Sequence, residues 1–185
     1  MNFFKPVLIL SFAFLAVFGE ATLSAPRHFL GAQIDLLPAL MVYAALNADL
    51  VTLALLAVMG GLWFDALSVN PLGVSIAPLF IVGFPIYLRR ELILRTAPFA
   101  QFTLGAAASA VSPALVVLIL LNGGKEPLIG WGSLWQWLVM TVGGGLAAPV
   151  IFALGDWCGH ALGYKLRTEM SFRSDREIRH GRILK

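Results

Sequence analysis

The stretch Leu50-Val51-Thr52-Leu53-Ala54-Leu55-Leu56-Ala57-Val58-Met59-Gly60-Gly61-Leu62-Trp63-Phe64-Asp65-Ala66-Leu67 decides the fold class. It carries no charge before Asp65, and Thr52 is its one hydroxyl residue. A helix built from it is apolar all round, so it needs a large core or lipid about it. Its length falls within the roughly 17–25 residues that cross the hydrocarbon of a bilayer. The whole chain argues the same way. Hydrophobic residues fill 59% of the 185 positions and charged residues only 12%, against about 25% charged in an ordinary soluble domain. A soluble fold of this size cannot hide that much apolar surface, so lipid is the expected solvent.

Five further apolar runs flank this one. Before it, Val7 to Phe18 follows Lys5-Pro6, and Ile34 to Leu46 ends at Asn47-Ala48-Asp49. After it, Asn70-Pro71-Leu72-Gly73 reads as a tight turn, since proline presets one φ and glycine supplies the permissive position. Val74 to Leu88 follows, with Pro78 and Pro85 inside, then the basic stretch Arg89 to Arg95. Phe99 to Leu121 and Leu134 to Trp157 complete the set, separated by Asn122-Gly123-Gly124-Lys125-Glu126-Pro127. The expected architecture is all-α: a polytopic transmembrane helical bundle of about six spans over residues 1–164, with a basic cytoplasmic tail over 165–185. One cysteine, Cys158, excludes an intramolecular disulfide.

Lys and Arg set the orientation. With six spans and an inner N-terminus, 11 of the 13 basic residues fall inside, and only Arg27 and Lys125 fall outside. Both termini are therefore expected in the cytoplasm. Trp131, Trp135 and Trp137 sit where an outer aromatic belt would place them. Lys5, the first apolar run and the small residues Gly19, Ala21, Ser24 and Ala25 also fit a secretory signal peptide. Cleavage would leave five spans in the same orientation.

Ionisable residues in membrane segments are the default place to look for function, since each costs about 2.5 to 3.5 kcal/mol at a helix centre. Here they lie near run ends: Glu20, Asp35 and Asp65 toward the outer side, Asp49, Asp156 and His160 toward the inner. The outer three could hold a cation or substrate, or could cap helix termini; Asp35, just before its helix, suits the positive end of the macrodipole. Asp156 and His160 share a helical face, but no third metal ligand joins them. No Gly-x-Ser-x-Gly, His-Glu-x-x-His or phosphate-binding loop occurs, and no enzyme, cofactor or metal centre is expected. Gly60-Gly61, Gly105 with Ala106, Ala110 and Ala114, and Gly143-Gly144-Gly145 with Ala147-Ala148 let helices approach closely. Pro78, Pro85, Pro113 and Pro149 are expected to kink or unwind their helices. The basic residues Arg89, Arg90, Arg95, Arg173, Arg176, Arg179 and Arg182 fit either a positive-inside anchor or a contact with anionic lipid or a cytoplasmic partner.

Gly60-Gly61-Leu62-Trp63-Phe64-Asp65-Ala66-Leu67-Ser68 followed by Asn70-Pro71-Leu72-Gly73 resembles the most recognisable segment of the MreD family of bacterial rod shape-determining proteins. Ile34-Asp35-Leu36-Leu37-Pro38-Ala39-Leu40-Met41-Val42-Tyr43 is similar to that family's second helix, and the basic stretch ending at Arg95 fits too. Pro38 stands three residues after Asp35, whereas family members more often carry proline just before the acid or amide. The resemblance implies a non-enzymatic scaffold of the cell-elongation and peptidoglycan-synthesis machinery in the cell inner membrane. Its implied partners are an MreC-like bitopic protein and, through it, a RodA-type glycosyltransferase, a penicillin-binding protein and MreB. It marks Asp35, Pro38, Gly60, Gly61, Asp65, Asn70, Pro71 and Gly73 as structural or partner residues. A competing class is the vitamin-capturing subunit of energy-coupling-factor transporters, which MreD-like chains resemble in architecture. Those subunits usually carry an Ala-x-x-x-Ala pattern on the first helix, and Ser11-Phe12-Ala13-Phe14-Leu15-Ala16-Val17 has none. A proton- or cation-coupled carrier would want acids at mid-membrane depth, where the run boundaries place none.

Overall fold

The computed structural model describes residues 4–22, 31–68, 70–93, 97–124 and 130–161. They form six helices: α1 (Phe4–Thr22), α2 (Leu37–Asn47), α3 (Leu50–Leu67), α4 (Ile76–Leu88), α5 (Pro98–Asn122) and α6 (Trp131–Ala161). No strand occurs among the described residues. Each apolar run becomes one helix, but two of them start late. The run from Ile34 is irregular until Leu37, and the run from Val74 remains a turn until Ile76. Proline explains both. Its ring clashes with the carbonyl four residues back, so Pro38 disfavours a helix through Ile34 and Pro78 disfavours one through Val74. Inside the first turn, by contrast, a missing N–H deprives the helix of nothing. Pro85, Pro113 and Pro149 lie within helices that continue past them.

Four helices, α1, α3, α5 and α6, are long and apolar enough to cross a membrane. α2 and α4 have 11 and 13 residues. At about 1.5 Å per residue they fall well short of the ~30 Å hydrocarbon layer. Large apolar side chains face outward along the long helices, among them Leu15, Val51, Val111, Leu146 and Val150. Contiguous exposed apolar surface of this kind belongs against lipid or protein.

α2 is the axis of the bundle. Every residue from Leu37 to Leu46 is buried, and the helix touches all five others. Tyr43 stands edge-on to Phe152 at 5.1 Å, with Gly155 beneath its ring. α5 and α6 form the most extensive pair, while α1 packs mainly on α3 and more lightly on α2. Phe14 meets Trp63 edge-on at 5.4 Å in the α1–α3 contact. At the Asn47 end of α2, the Arg90 guanidinium donates to the Ala48 carbonyl at 3.1 Å and lies 4.5 Å from the Tyr87 ring centre. This ties the end of α4 to the α2–α3 turn.

Candidate functional site

The two proline breaks leave backbone N–H groups inside the bundle with no helical acceptor. Lipid offers none, so irregular backbone at membrane depth survives only where protein groups satisfy it. Both breaks lie at the Leu37 end of α2, and both are closed by side chains from neighbouring helices.

At the break before α4, Asp65 is only 1% exposed. Its Oδ2 accepts the N–H groups of Gly73 at 2.8 Å and Ser75 at 3.1 Å, and its Oδ1 accepts the Ser75 hydroxyl at 2.5 Å. The Ser68 hydroxyl oxygen accepts the Asn70 N–H at 3.1 Å, and the Pro71 carbonyl accepts the Val74 N–H at 3.3 Å. Gly73 has φ +91°, a conformation that costs a side-chain-bearing residue and leaves glycine free. One turn before Asp65, a Cβ on Gly61 would stand 3.0 Å from the Ile76 nitrogen and 3.1 Å from its Cα. Gly61 and Asp65 share a face of α3, and that face holds the start of α4: the glycine by closeness, the acid by hydrogen bonds.

The break before α2 uses three elements. The Gln33 N–H donates to Gln136 Oε1 at 3.0 Å, and the Gln136 amide returns a bond to the Gln33 carbonyl at 2.7 Å. Glu20 Oε1, on α1, accepts the Leu36 N–H at 2.6 Å. Asp35 Oδ1 accepts the Leu37 N–H at 2.9 Å, an acid at a helix N-terminus as its position in the sequence suggests. Gly60 admits Leu37, since a Cβ there would meet Leu37 Cδ2 at 2.9 Å, and Gly143 admits Ile34 in the same way at 2.8 Å. Adjacent glycines of α3 thus receive the starts of two helices, α2 on Gly60 and α4 on Gly61.

Asp35, Pro38, Gly60, Gly61, Asp65, Asn70, Pro71 and Gly73 therefore gather around one joint. The basic residues do not join them: Arg89 is exposed and Arg90 engaged at the opposite end. Arg95, Arg173, Arg176, Arg179 and Arg182 lie outside the described residues. Asp49 and Asp156 are exposed; the side chain of His160 is outside the described set. Among the described residues, no three His, Cys, Asp or Glu side chains come close enough to hold a metal. Sequence reasoning missed Ser75, Gln33 and Gln136. A lone glutamine in the apolar run from Leu134 was a signal, because an amide inside a bundle needs a polar partner.

Nearly every polar atom of the joint is engaged with backbone. Glu20 Oε2 is the exception: it is buried and has no hydrogen-bond partner among the described residues. Comparison of the chain with family models, with curated proteins and with solved structures found no match. Fold and site define an all-helical, apolar bundle with four helices able to cross a membrane and a carboxylate-held joint at one end.

Proposed function

We propose that this chain is a non-enzymatic scaffold of the bacterial inner membrane, of the MreD kind, serving cell elongation. One observation carries the reading. The carboxylate of Asp65, on which the resemblance leans most, has both oxygens occupied by Gly73 and Ser75. A carboxylate spent on its own backbone has little left for a substrate or cation, so it serves shape rather than chemistry. The segment of resemblance, Gln33 to Arg95, supplies the central helix α2 and the joint that sets α3 and α4 against it. In this reading the chain crosses the membrane six times with both termini inside, α2 and α4 reaching across with the help of their irregular lead-ins. Its helix surfaces hold an MreC-like bitopic protein, and through that protein wall synthases and MreB.

Three measurements test this. Cysteine placed at position 125, in a Cys158→Ser background, should react with an impermeant reagent in intact cells; labelling only after lysis would overturn the six-span topology. Deleting the gene in its host should give rounded cells that lose localised elongation complexes. Normal rod growth in a host that needs this machinery would defeat the proposal, as would co-purification with an ATPase module or a bound vitamin in place of wall-synthesis proteins.

A further inference from the structure

Glu20 and Asp35 come from different elements, yet their carboxyls accept the N–H groups of consecutive residues, Leu36 and Leu37. Two acids therefore share the N-terminus of one helix, side by side inside the bundle. Asp35 is 7% exposed, and Glu20 Oε2 is buried with no donor among the described residues. One carboxylate suits that helix end. A second ionised one would repel the first in a medium of low dielectric and strand an anionic oxygen, and an unpaired buried charge costs several kcal/mol.

Among the described residues, other charges give no relief. On α3, Asp65 turns to Gly73 and Ser75, and Asp49 lies at the far end. α2 carries only Tyr43, set against Phe152. α6 carries Asp156 and Cys158 near Gly155, level with Tyr43 and away from the pair. On α1 itself, Lys5 is about four turns below Glu20. Arg27 and His28, in the α1–α2 connection, lie outside the described residues.

We infer that Glu20 and Asp35 together hold one proton, carried on Glu20, and that this proton latches α1 to the start of α2. Protonated, Glu20 keeps Oε1 as acceptor for Leu36 and leaves the pair with a single negative charge on Asp35. The proton comes from bulk water at the Leu37 end of the bundle and returns there. α1 is the element such a latch can release, because its other packing is mainly on α3 and its window is only 17% buried. Losing the proton sets like charges against each other across the α1–α2 contact. The latch makes the seating of α1 depend on acidity at that end of the bundle. The inference rests on hydrogen-bond geometry and does not need the elongation role.

The sign follows from linkage: the folded chain binds this proton more tightly than the unfolded chain, so stability falls as pH rises. The test uses the full chain in detergent, with thermal midpoints for wild type, Glu20→Gln and Glu20→Ala across acidic to alkaline pH. A spin-label pair at Leu15 and Leu62 in a Cys158→Ser background reads the distance between α1 and α3. Wild type should lose stability and lengthen that distance as pH rises. Glu20→Gln, a neutral side chain with the same acceptor, should match wild type at low pH and stay flat. Glu20→Ala should be weaker throughout. Equal pH profiles for wild type and Glu20→Gln, or Glu20→Gln as weak as Glu20→Ala at every pH, would overturn the latch.

Discussion

Asp65→Leu is expected to leave little folded protein. The substitution removes both acceptor oxygens and strands the Gly73 and Ser75 N–H groups and the Ser75 hydroxyl. Each buried orphan costs about 1 to 3 kcal/mol, so the loss for the three is roughly 3 to 9 kcal/mol in all. That is a large share of the about 5 to 15 kcal/mol by which a typical domain is stable. Asp65→Asn should behave very differently. Its amide oxygen can take the place of Oδ2 before the two N–H groups, and its amide nitrogen can donate to the Ser75 oxygen, since a hydroxyl serves either way. Only the charge-assisted part is lost, about 1 to 2 kcal/mol. Ser75→Ala removes one donor and should fall near the Asn variant. Thermal midpoints and monodispersity in detergent check the order. Asp65→Asn that is stable, keeps its partners and yet fails to support growth would show a ligand role, and the scaffold reading would fall.

The two carboxylate-held breaks show where a sequence can be read and where it cannot. Six apolar runs predict six helices because the period and extent of hydrophobic residues fix helix existence. The late starts of α2 and α4 were legible in principle, for Pro38 and Pro78 each disfavour helical backbone four residues earlier. A reading guided by hydropathy alone runs through Ile34 and Val74, since an apolar side chain looks the same inside or outside a helix. Asp65 was readable as the acceptor for the turn and the next helix, being local and one turn from Gly61. Gln136 was not: its partner Gln33 lies more than 100 positions away in the chain, and pairing over that range is fixed only by how α6 packs on α2. The same late start bears on the acids. Glu20 and Asp35 close to run ends suggest a surface position, whereas the break draws both into the bundle.

Gly105→Ala is expected to part α5 from α6. A Cβ at Gly105 would stand 2.5 Å from the Ala148 Cβ and 2.8 Å from the Gly144 carbonyl oxygen. Across the same contact, a Cβ at Gly144 would collide with the Ser109 side chain. Neither obstacle at Gly105 is the flexible end of a long side chain, so the helices themselves must move. Overpacking of this kind costs about 1 to 3 kcal/mol even where side chains can yield, and here the contact joins the two longest helices. Without a hydrophobic drive between helices in lipid, close backbone packing is a main source of association. The loss should therefore exceed that range for Gly105→Leu and approach its upper end for Gly105→Ala. Separation of α5 from α6 also disturbs Ile34 on Gly143 and the Gln33–Gln136 bonds, because α6 carries both. The break before α2 then loses a wall. Ala148→Gly clears one of the two obstacles, so Gly105→Ala with Ala148→Gly should recover part of the lost thermal midpoint, while Ala148→Gly alone should lower it slightly. A double-mutant cycle on purified protein reads this coupling directly. Full stability of Gly105→Ala, or no recovery in the double variant, would mean that α5 and α6 do not approach at this point, and the small residues there would need another explanation.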